Sequence, residues 1–212
     1  LMDEGHVAKL KIKCCVLNYP DDQRKAIAKQ PYQTELDWIE RHEGRREFLV
    51  NLAASLKGNT LLLLAHIDKH AVPLYERIKE VVDPSRKVFL ITGDVDGDDR
   101  EAVRKIVDGE SDSVIIATYG TFQLGVSIRN LHNVVLASPS KSRIRVLQSI
   151  GRGIRLGNKD HCTWFDVADD LTWNGVRNTT LNHFIERLKI YNSEKFDYKM
   201  YTIKMHKEPP QT

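Results

Sequence analysis

Residues 148–155 combine a glutamine and two arginines at a spacing that suits phosphate chemistry. The segment reads Gln-Ser-Ile-Gly-Arg-Gly-Ile-Arg, which separates Gln148 from Arg152 by four positions and Arg152 from Arg155 by three. On a helix, this spacing predicts that the three side chains share one face. Guanidinium groups stay charged and offer paired planar donors that match phosphate oxygens. The segment therefore predicts a phosphate-binding site, although a solvated basic helix has the same spacing.

Charge is distributed unevenly along the chain. The formal net charge of +3 and the pI of about 8.7 are only mildly basic. Between Ser113 and Lys159, however, there is no Asp or Glu. The basic residues of this stretch are Arg129, Lys141, Arg143, Arg145, Arg152, Arg155 and Lys159. Such a local excess predicts a surface that binds a polyanion.

Cysteine usage and hydropathy exclude several classes of protein. Cys14, Cys15 and Cys162 are too few and wrongly spaced for a zinc site. We therefore expect a reduced, cytoplasmic protein. No apolar run approaches the roughly 20 residues that a membrane span requires, so a membrane is not among the expected partners. The chain begins with Leu1 rather than Met, which suggests that it was cut from something longer.

Strand and helix patterns alternate along the 212 residues. The predicted strands cover 10–17, 60–65, 88–91, 114–118, 134–137, 162–167 and 198–205. The predicted helices cover 34–56, 68–82, 98–107, 141–156 and 181–191, and Asp68 is expected to cap the second of them, with Pro73 tolerated near its start. This alternation indicates an α/β fold with a parallel sheet.

Small, hydroxyl and basic residues follow the predicted strands. In parallel α/β sheets, the working residues cluster in the loops at the carboxyl ends of the strands. His66 follows the second predicted strand, Thr118 and Gly120 come at the end of the fourth, and Lys141 comes soon after the fifth. We therefore expect the functional site at this edge of the sheet.

Two of these segments together resemble motifs V and VI of superfamily 2 helicases. The first is Ile-Ala-Thr-Tyr-Gly-Thr-Phe-Gln-Leu-Gly-Val-Ser-Ile over 116–128, and the second is Gln-x-x-Gly-Arg-x-x-Arg over 148–155. Residues 60–74 look like motif IV, and 92–101 look like the motif between IV and V, so the resemblance spans about 60–168. It implies the second RecA-like lobe, a parallel sheet flanked by helices on both faces. Residues 125–135, 139–143 and 186–198 resemble, more narrowly, DNA helicases of T-even-type phages.

The resemblance implies roles for individual residues. Arg155 becomes the arginine finger of ATP hydrolysis, with Arg152 and Gln148 beside it. Gly125 and Ser127 become further nucleotide contacts, although many family members have Asp where this chain has Ser127. The nucleic-acid track would comprise Thr118, Gly120, His66, Arg100, Lys141 and Arg143. A histidine that follows a strand is also a common structural hydrogen-bonding group, and a solvated helix start would equally explain Lys141 and Arg143.

Two further features test the resemblance. Nothing in the chain matches a Gly-Lys-Thr/Ser phosphate loop, so ATP and Mg²⁺ are expected to be bound mainly by a first lobe. The run Asp3-Glu4-Gly5-His6 matches a catalytic helicase motif, but it stands directly before a predicted strand rather than after one. We interpret it as a coincidental match in an interlobe linker. The three tryptophans, Trp38, Trp164 and Trp173, are expected to pack inside the lobe rather than to stack on bases.

The resulting prediction is one motor lobe of an ATP-dependent DNA helicase or translocase. Residues 1–19 form an interlobe linker and entering strand, 20–206 form the RecA-like domain, and 207–212 form a tail. Its partners would be the first lobe and branched or duplex DNA, or an RNA–DNA hybrid, in recombination, repair and replication. This lobe alone should not hydrolyse ATP. The alternatives are a non-catalytic nucleic-acid-binding α/β scaffold and an unrelated mononucleotide-binding enzyme.

Overall fold

The computed structural model describes residues 9–91, 98–119, 130–139 and 161–206. Over these ranges, seven strands form a single sheet. The strands are β1 Lys9–Asn18, β2 Thr60–Leu64, β3 Val88–Ile91, β4 Val114–Thr118, β5 Asn133–Leu136, β6 His161–Asp170 and β7 Asp197–Lys204. The helices are α1 Asp21–Ile27, α2 Tyr32–Arg41, α3 Glu43–Ser55, α4 Val72–Val81, α5 Asp98–Gly109 and α6 Thr179–Ser193.

All neighbouring strands of the sheet pair in parallel, in the order β3-β4-β2-β5-β6-β1-β7. Strand β1 lies inside the sheet, because β6 pairs along one side of it and β7 along the other. The predicted parallel α/β fold is therefore confirmed. Among the described residues, no helix is long and apolar enough to cross a membrane.

Two hydrophobic cores lie on opposite faces of the sheet. In β2, Leu61 and Leu63 belong to one core, whereas Leu62 and Leu64 belong to the other, as the twofold alternation of a strand requires. Helices α5 and α6 cover the first face, through residues such as Phe184. Helices α1 to α4 cover the second face. Parallel strands read as continuous apolar runs because both of their faces are buried in this way.

Helix bounds differ from the prediction chiefly at three places. Helices α5 and α6 are two and four residues longer than predicted, and the helix predicted over 141–156 lies outside the described residues. Instead of one helix over 34–56, α2 and α3 meet at His42, whose backbone is extended and whose ring accepts a hydrogen bond from the Arg45 N–H at 3.1 Å. The His42 ring therefore caps the start of α3, and α2 ends one residue before His42. The sequence reading also missed α1, a helix of only seven residues whose first turn carries Asp21 and Asp22.

The third difference concerns the helix predicted over 68–82. The chain is π-helical over Ile67–Ala71 and α-helical over Val72–Val81, so Asp68 lies inside a turn rather than before a helix. The Ala71 N–H donates to the carbonyl of His66 at 3.2 Å. Pro73 has no N–H to continue an α-helical pattern backwards, which leaves the preceding turn free to adopt the wider spacing.

Gly58 and Asn59 organise the amino-terminal edge of the sheet. Gly58 has a φ of +84°, and the Asn59 side chain donates to the carbonyls of Val107, Glu110 and Asn130 at 2.6–3.2 Å. The Asn59 backbone N–H donates to Nδ1 of His132 at 2.9 Å. These bonds fix the start of β2 relative to its neighbours.

Candidate functional site

The carboxyl ends of β3, β4, β2 and β5 form one continuous row, because these strands are neighbours and all run in the same direction. The segments that leave this row are residues 92–97 after β3, 120–129 after β4 and 140–160 after β5. His66 follows β2 within the same row. Three segments that carry the helicase-like motifs thus begin at one edge of the sheet.

Ser138 joins three of these strand ends. Its Oγ accepts a hydrogen bond from the Ala65 N–H at 3.1 Å and lies 2.8 Å from Nδ1 of His70. Its carbonyl accepts a hydrogen bond from the Tyr119 hydroxyl at 3.0 Å. Ser138 and His70 are fully buried. A hydroxyl has one donor hydrogen and two acceptor lone pairs, so Ser138 can accept from the Ala65 N–H and also hydrogen-bond with Nδ1 of His70.

A buried ion pair fixes the neighbouring end of β6. Arg45 of α3 donates through Nε and Nη2 to the two carboxylate oxygens of Asp169, at 2.8 and 3.1 Å. Its third nitrogen donates to the carbonyl of Ala137 at 2.6 Å, and the Tyr19 hydroxyl donates to Asp169 at 2.7 Å. The side chains of Arg45 and Asp169 are 1% and 0% exposed. Arg45 therefore holds the chain one residue before Ser138.

Electrostatics in this cluster favour the ionised pair. Burial lowers the pKa of Arg45, but the charge of Asp169 and the hydrogen bond to it, together with smaller effects of Tyr19 and Tyr119, hold that pKa above its usual value. Burial raises the pKa of Tyr19, and the charge of Asp169 raises it further. The phenol thus stays protonated and remains a donor to the carboxylate.

His66 stands at the rim of the same edge. Its Nδ1 lies 2.9 Å from both carboxylate oxygens of Glu40, which is a buried residue of α2. The His66 side chain is nevertheless 45% exposed. The contact with Glu40 supports the structural interpretation of this histidine, while the exposed part of the ring can still meet a ligand.

The other predicted site residues divide into two groups. Thr118 is the last residue of β4 and is half-buried, and Arg100 lies in α5, although its side chain is not among those described. The remaining predicted residues lie outside the described part of the chain: Gly120, Gly125, Ser127, Lys141, Arg143, Gln148, Arg152 and Arg155.

Sequence reasoning missed four residues that shape this edge: Arg45, His70, Ser138 and Asp169. Ser138 is one of the small and hydroxyl residues that follow the predicted strands, and its residue type alone does not indicate the hydrogen bonds that it forms. Arg45 lies in the middle of a helical pattern and its partner is 124 residues away, so no local spacing could reveal the pair. In the described ranges, no group of three or more His, Cys, Asp or Glu could hold a metal ion.

The tryptophan prediction is confirmed for Trp164 and Trp38. Trp164 is 1% exposed and belongs to the first core. Trp38 packs edge-on against Tyr19, with ring centroids 5.2 Å apart, and against His42 at 4.8 Å. Both rings therefore serve packing, in agreement with the sequence-based expectation.

This arrangement matches a known class of domain. The helicase conserved C-terminal domain family matches residues 44–157, which is more than half of the chain. The chain therefore belongs to that family and forms the second RecA-like lobe of superfamily 2 helicases.

Among individual proteins, the chain is similar to the ATP-dependent DNA helicase uvsW of Enterobacteria phage T4. The two are 33% identical over 222 residues, which cover 97% of this chain and 43% of the phage protein. The crystal structure of T4 UvsW matches with a TM-score of 0.78 and 32% identity, over 92% of this chain and 42% of that chain. This chain thus spans less than half the length of that relative, and the narrower resemblance to phage helicases is confirmed.

A more distant match concerns the fold alone. The structure of the C-terminal domain of the DEAD-box protein Dbp5 matches with a TM-score of 0.55 and 14% identity. The match covers 94% of this chain and 91% of that domain. The RecA-like architecture is therefore shared by the whole described lobe.

Proposed function

We propose that this chain is the second motor lobe, over about 20–206, of an ATP-dependent DNA helicase or translocase that remodels branched DNA in recombination, repair and replication. Residues 1–19 would connect it to a first RecA-like lobe, which would hold most of the ATP and its Mg²⁺. The similarity to the phage T4 helicase over 97% of the chain carries this proposal.

The hydrogen bonds that Ser138 and Arg45 form at the carboxyl edge of the sheet support the proposal. The segment that resembles motif V begins within β4, and the segment that resembles motif VI comes after β5. The hydrogen bond from the Tyr119 hydroxyl to the Ser138 carbonyl joins the two strand ends at 3.0 Å. A catalytic group that acts across a cleft must be held in position by the fold, because small displacements of such groups lower the reaction rate by large factors. The buried contacts of Ser138 and Arg45 fix the strand ends from which these segments start.

Arg155 would act as the arginine finger, with Arg152 and Gln148 beside it and Gly125 and Ser127 close to the nucleotide. ATP supplies the phosphoryl group, whose transfer depends mainly on positioning and on stabilising negative charge. The donor chemistry fits, since two guanidiniums and an amide suit phosphate oxygens. Two carboxylates described at this edge are already engaged, Asp169 by Arg45 and Glu40 by His66, so they do not present an unpaired negative charge.

DNA would run along Thr118, Gly120, His66, Arg100, Lys141 and Arg143. Backbone contacts of this kind position a strand without reading its sequence. The exposed part of the His66 ring is the described side chain that best suits such a contact, since Glu40 fixes its orientation at 2.9 Å.

The decisive experiment compares Arg155→Ala with the parent protein in the presence of the first lobe, with DNA-stimulated ATP hydrolysis as the readout. An arginine finger is worth about 10³- to 10⁵-fold in turnover, so we expect a loss of at least about 10²-fold with DNA binding retained. Arg77→Ala is the matched control, because Arg77 lies on α4 and pairs with Glu47 at 2.8 Å. Hydrolysis that survives Arg155→Ala would refute the finger and favour the non-catalytic scaffold.

A further inference from the structure

A second basic surface lies away from the carboxyl edge, on the amino-terminal halves of β1 and β7. Strand register places Lys13 beside Lys199 on one side and beside Phe165 on the other. By the same register, Lys11 stands beside Asp197. Because registered neighbours in a sheet point to the same face, these side chains share one face.

These side chains are exposed to solvent. Lys11, Lys13 and Lys199 are all exposed, and Tyr201, one register step further along β7, is 41% exposed. They line an open cleft of about 530 Å³. The cleft is bordered by Lys11, Ile12, Lys13, Thr163, Asp197, Tyr198, Lys199 and Tyr201.

The openness of this face is unusual for parallel strands, which are normally covered on both sides. On the same face, helices cover the carboxyl-terminal half of the sheet, where Leu17 is 0% exposed and Met205 is 8% exposed. The amino-terminal half of β1 instead carries lysines at alternate positions. Lysines are a common device for protecting edge strands, which accounts for Lys199 on β7. It does not account for Lys11 and Lys13, because β1 is an internal strand.

We propose that this face, defined by Lys11, Lys13, Lys199 and Tyr201, is a second binding surface for a single strand of nucleic acid. Residues two apart on a parallel strand are separated by about 6.6 Å, and neighbouring strands by about 4.8 Å, so the Cα atoms of the three lysines lie within about 8 Å of one another. The lysines would hold phosphates, while the ring of Tyr201 would stack on a base. Basic grooves combined with aromatic platforms bind single strands without sequence preference.

The chemistry of the face favours nucleic acid over a plain solvated surface. Among the bordering side chains of the cleft, three are cationic and one, Asp197, is acidic. Lys13 lies over the Phe165 ring, with Nζ 5.6 Å from the ring centroid, which restrains this lysine and directs its stem along the face. The surface would act independently of ATP hydrolysis, for example by holding one arm of a branched substrate.

The test measures binding of a fluorescein-labelled oligothymidine, about 20 nucleotides long, by fluorescence anisotropy in the absence of ATP. Lys11→Ala, Lys13→Ala and Lys199→Ala combined should weaken binding about tenfold or more and lower the slope of log K against log salt by about 2. The control combines Lys79→Ala, Lys105→Ala and Lys189→Ala, which removes the same charge from exposed positions on α4, α5 and α6. Equal losses in both triple variants would overturn the proposal.

Substitution of Tyr201 provides a second test of the proposal, one that does not depend on charge. Base stacking on an aromatic side chain predicts a loss of about fivefold or more for Tyr201→Ala, whereas Tyr201→Phe should keep the affinity of the parent. Undiminished binding by Tyr201→Ala would remove the stacking role. Thermal denaturation of each variant establishes that it is folded.

Footprinting locates the contact. Oligothymidine should protect Lys11, Lys13 and Lys199 from acetylation by an activated ester, read by mass spectrometry. If the first lobe protects these lysines and oligothymidine does not, the surface is an interface within the protein and the proposal fails. This outcome is separable from failure of the arginine finger, because neither binding nor protection requires hydrolysis.

Discussion

Replacing Asp169 with alanine would leave a buried guanidinium without its counter-ion. The Arg45 side chain is 1% exposed, and it directs two of its three nitrogens at Asp169. The same substitution removes the acceptor of the Tyr19 hydroxyl, which is bonded at 2.7 Å. The remaining partner of the guanidinium would be the carbonyl of Ala137 at 2.6 Å.

The expected cost follows from this geometry. Breaking a buried ion pair by removing one partner costs about 3–5 kcal/mol, because the other charge stays in a medium of low dielectric constant. For a chain of this size, 1 kcal/mol corresponds to roughly 2–4 °C in Tm, so the midpoint should fall by roughly 6–20 °C. We expect the free energy of unfolding to fall by at least about 3 kcal/mol.

Urea denaturation followed by circular dichroism measures this cost. The informative companion is the double variant Arg45→Met with Asp169→Leu, which removes both charges and should cost less than Asp169→Ala alone, because no unpaired charge is left and only the Tyr19 hydroxyl and the Ala137 carbonyl lose these partners. Asp37→Ala is the control on a carboxylate that is 35% exposed, lies 3.8 Å from Lys69 and accepts a hydrogen bond from Gln33 at 3.3 Å, and it should cost less than about 1 kcal/mol. If Asp169→Ala were as mild as Asp37→Ala, the argument from the buried charge would be refuted.

Two further predictions concern backbone strain and alkaline pH. Gly58→Ala should destabilise the chain by about 2 kcal/mol or more, since a Cβ there would approach the His132 ring to 2.4 Å at a φ of +84°. Gly175 is the control, because it has a similar φ of +76° but open space around the position of a Cβ. If urea denaturation shows equal losses for Gly58→Ala and Gly175→Ala, the steric argument is contradicted. Burial raises the pKa of Cys15 from 9.0 to about 11 and that of Tyr19 above 10.0. Because the folded state holds these protons more tightly, stability should be complete below about pH 9 and should decline through pH 11; a Tm that is constant from pH 8 to about 11 would contradict this.

The strands were largely predictable because burial on both faces leaves a continuous apolar run. The strands over Val88–Ile91 and Val114–Thr118 have the predicted bounds, and the other five differ from the prediction by one to three residues at an end. Helix breaks were harder, because α2 and α3 share one amphipathic pattern and are divided only by the extended backbone of His42. No apolar periodicity marks a break that a side-chain cap creates.

The candidate site was predictable only in part. A resemblance of motifs pointed to the correct family, because those motifs are contiguous in sequence. The contacts that fix this edge are not contiguous. Ser138 meets His70 across 68 positions, and Arg45 meets Asp169 across 124. Only the folded sheet brings such residues together. Serine and arginine have many common roles in proteins, so their residue types alone do not predict these contacts.

The hydrogen bonds at the carboxyl edge of the sheet limit how a motor lobe can move. Segments 120–129 and 140–160 begin next to Tyr119 and Ser138, which share a hydrogen bond, so one origin cannot shift without the other. Ser138 is tied in turn to β2 through the Ala65 N–H, and Arg45 ties the preceding residue, Ala137, to α3. Packed cores resist continuous deformation and transmit displacement as rigid units. If Arg155 acts on a nucleotide as proposed, the closure that brings its segment to the nucleotide would therefore move the strand ends, the π-helical turn and α3 together.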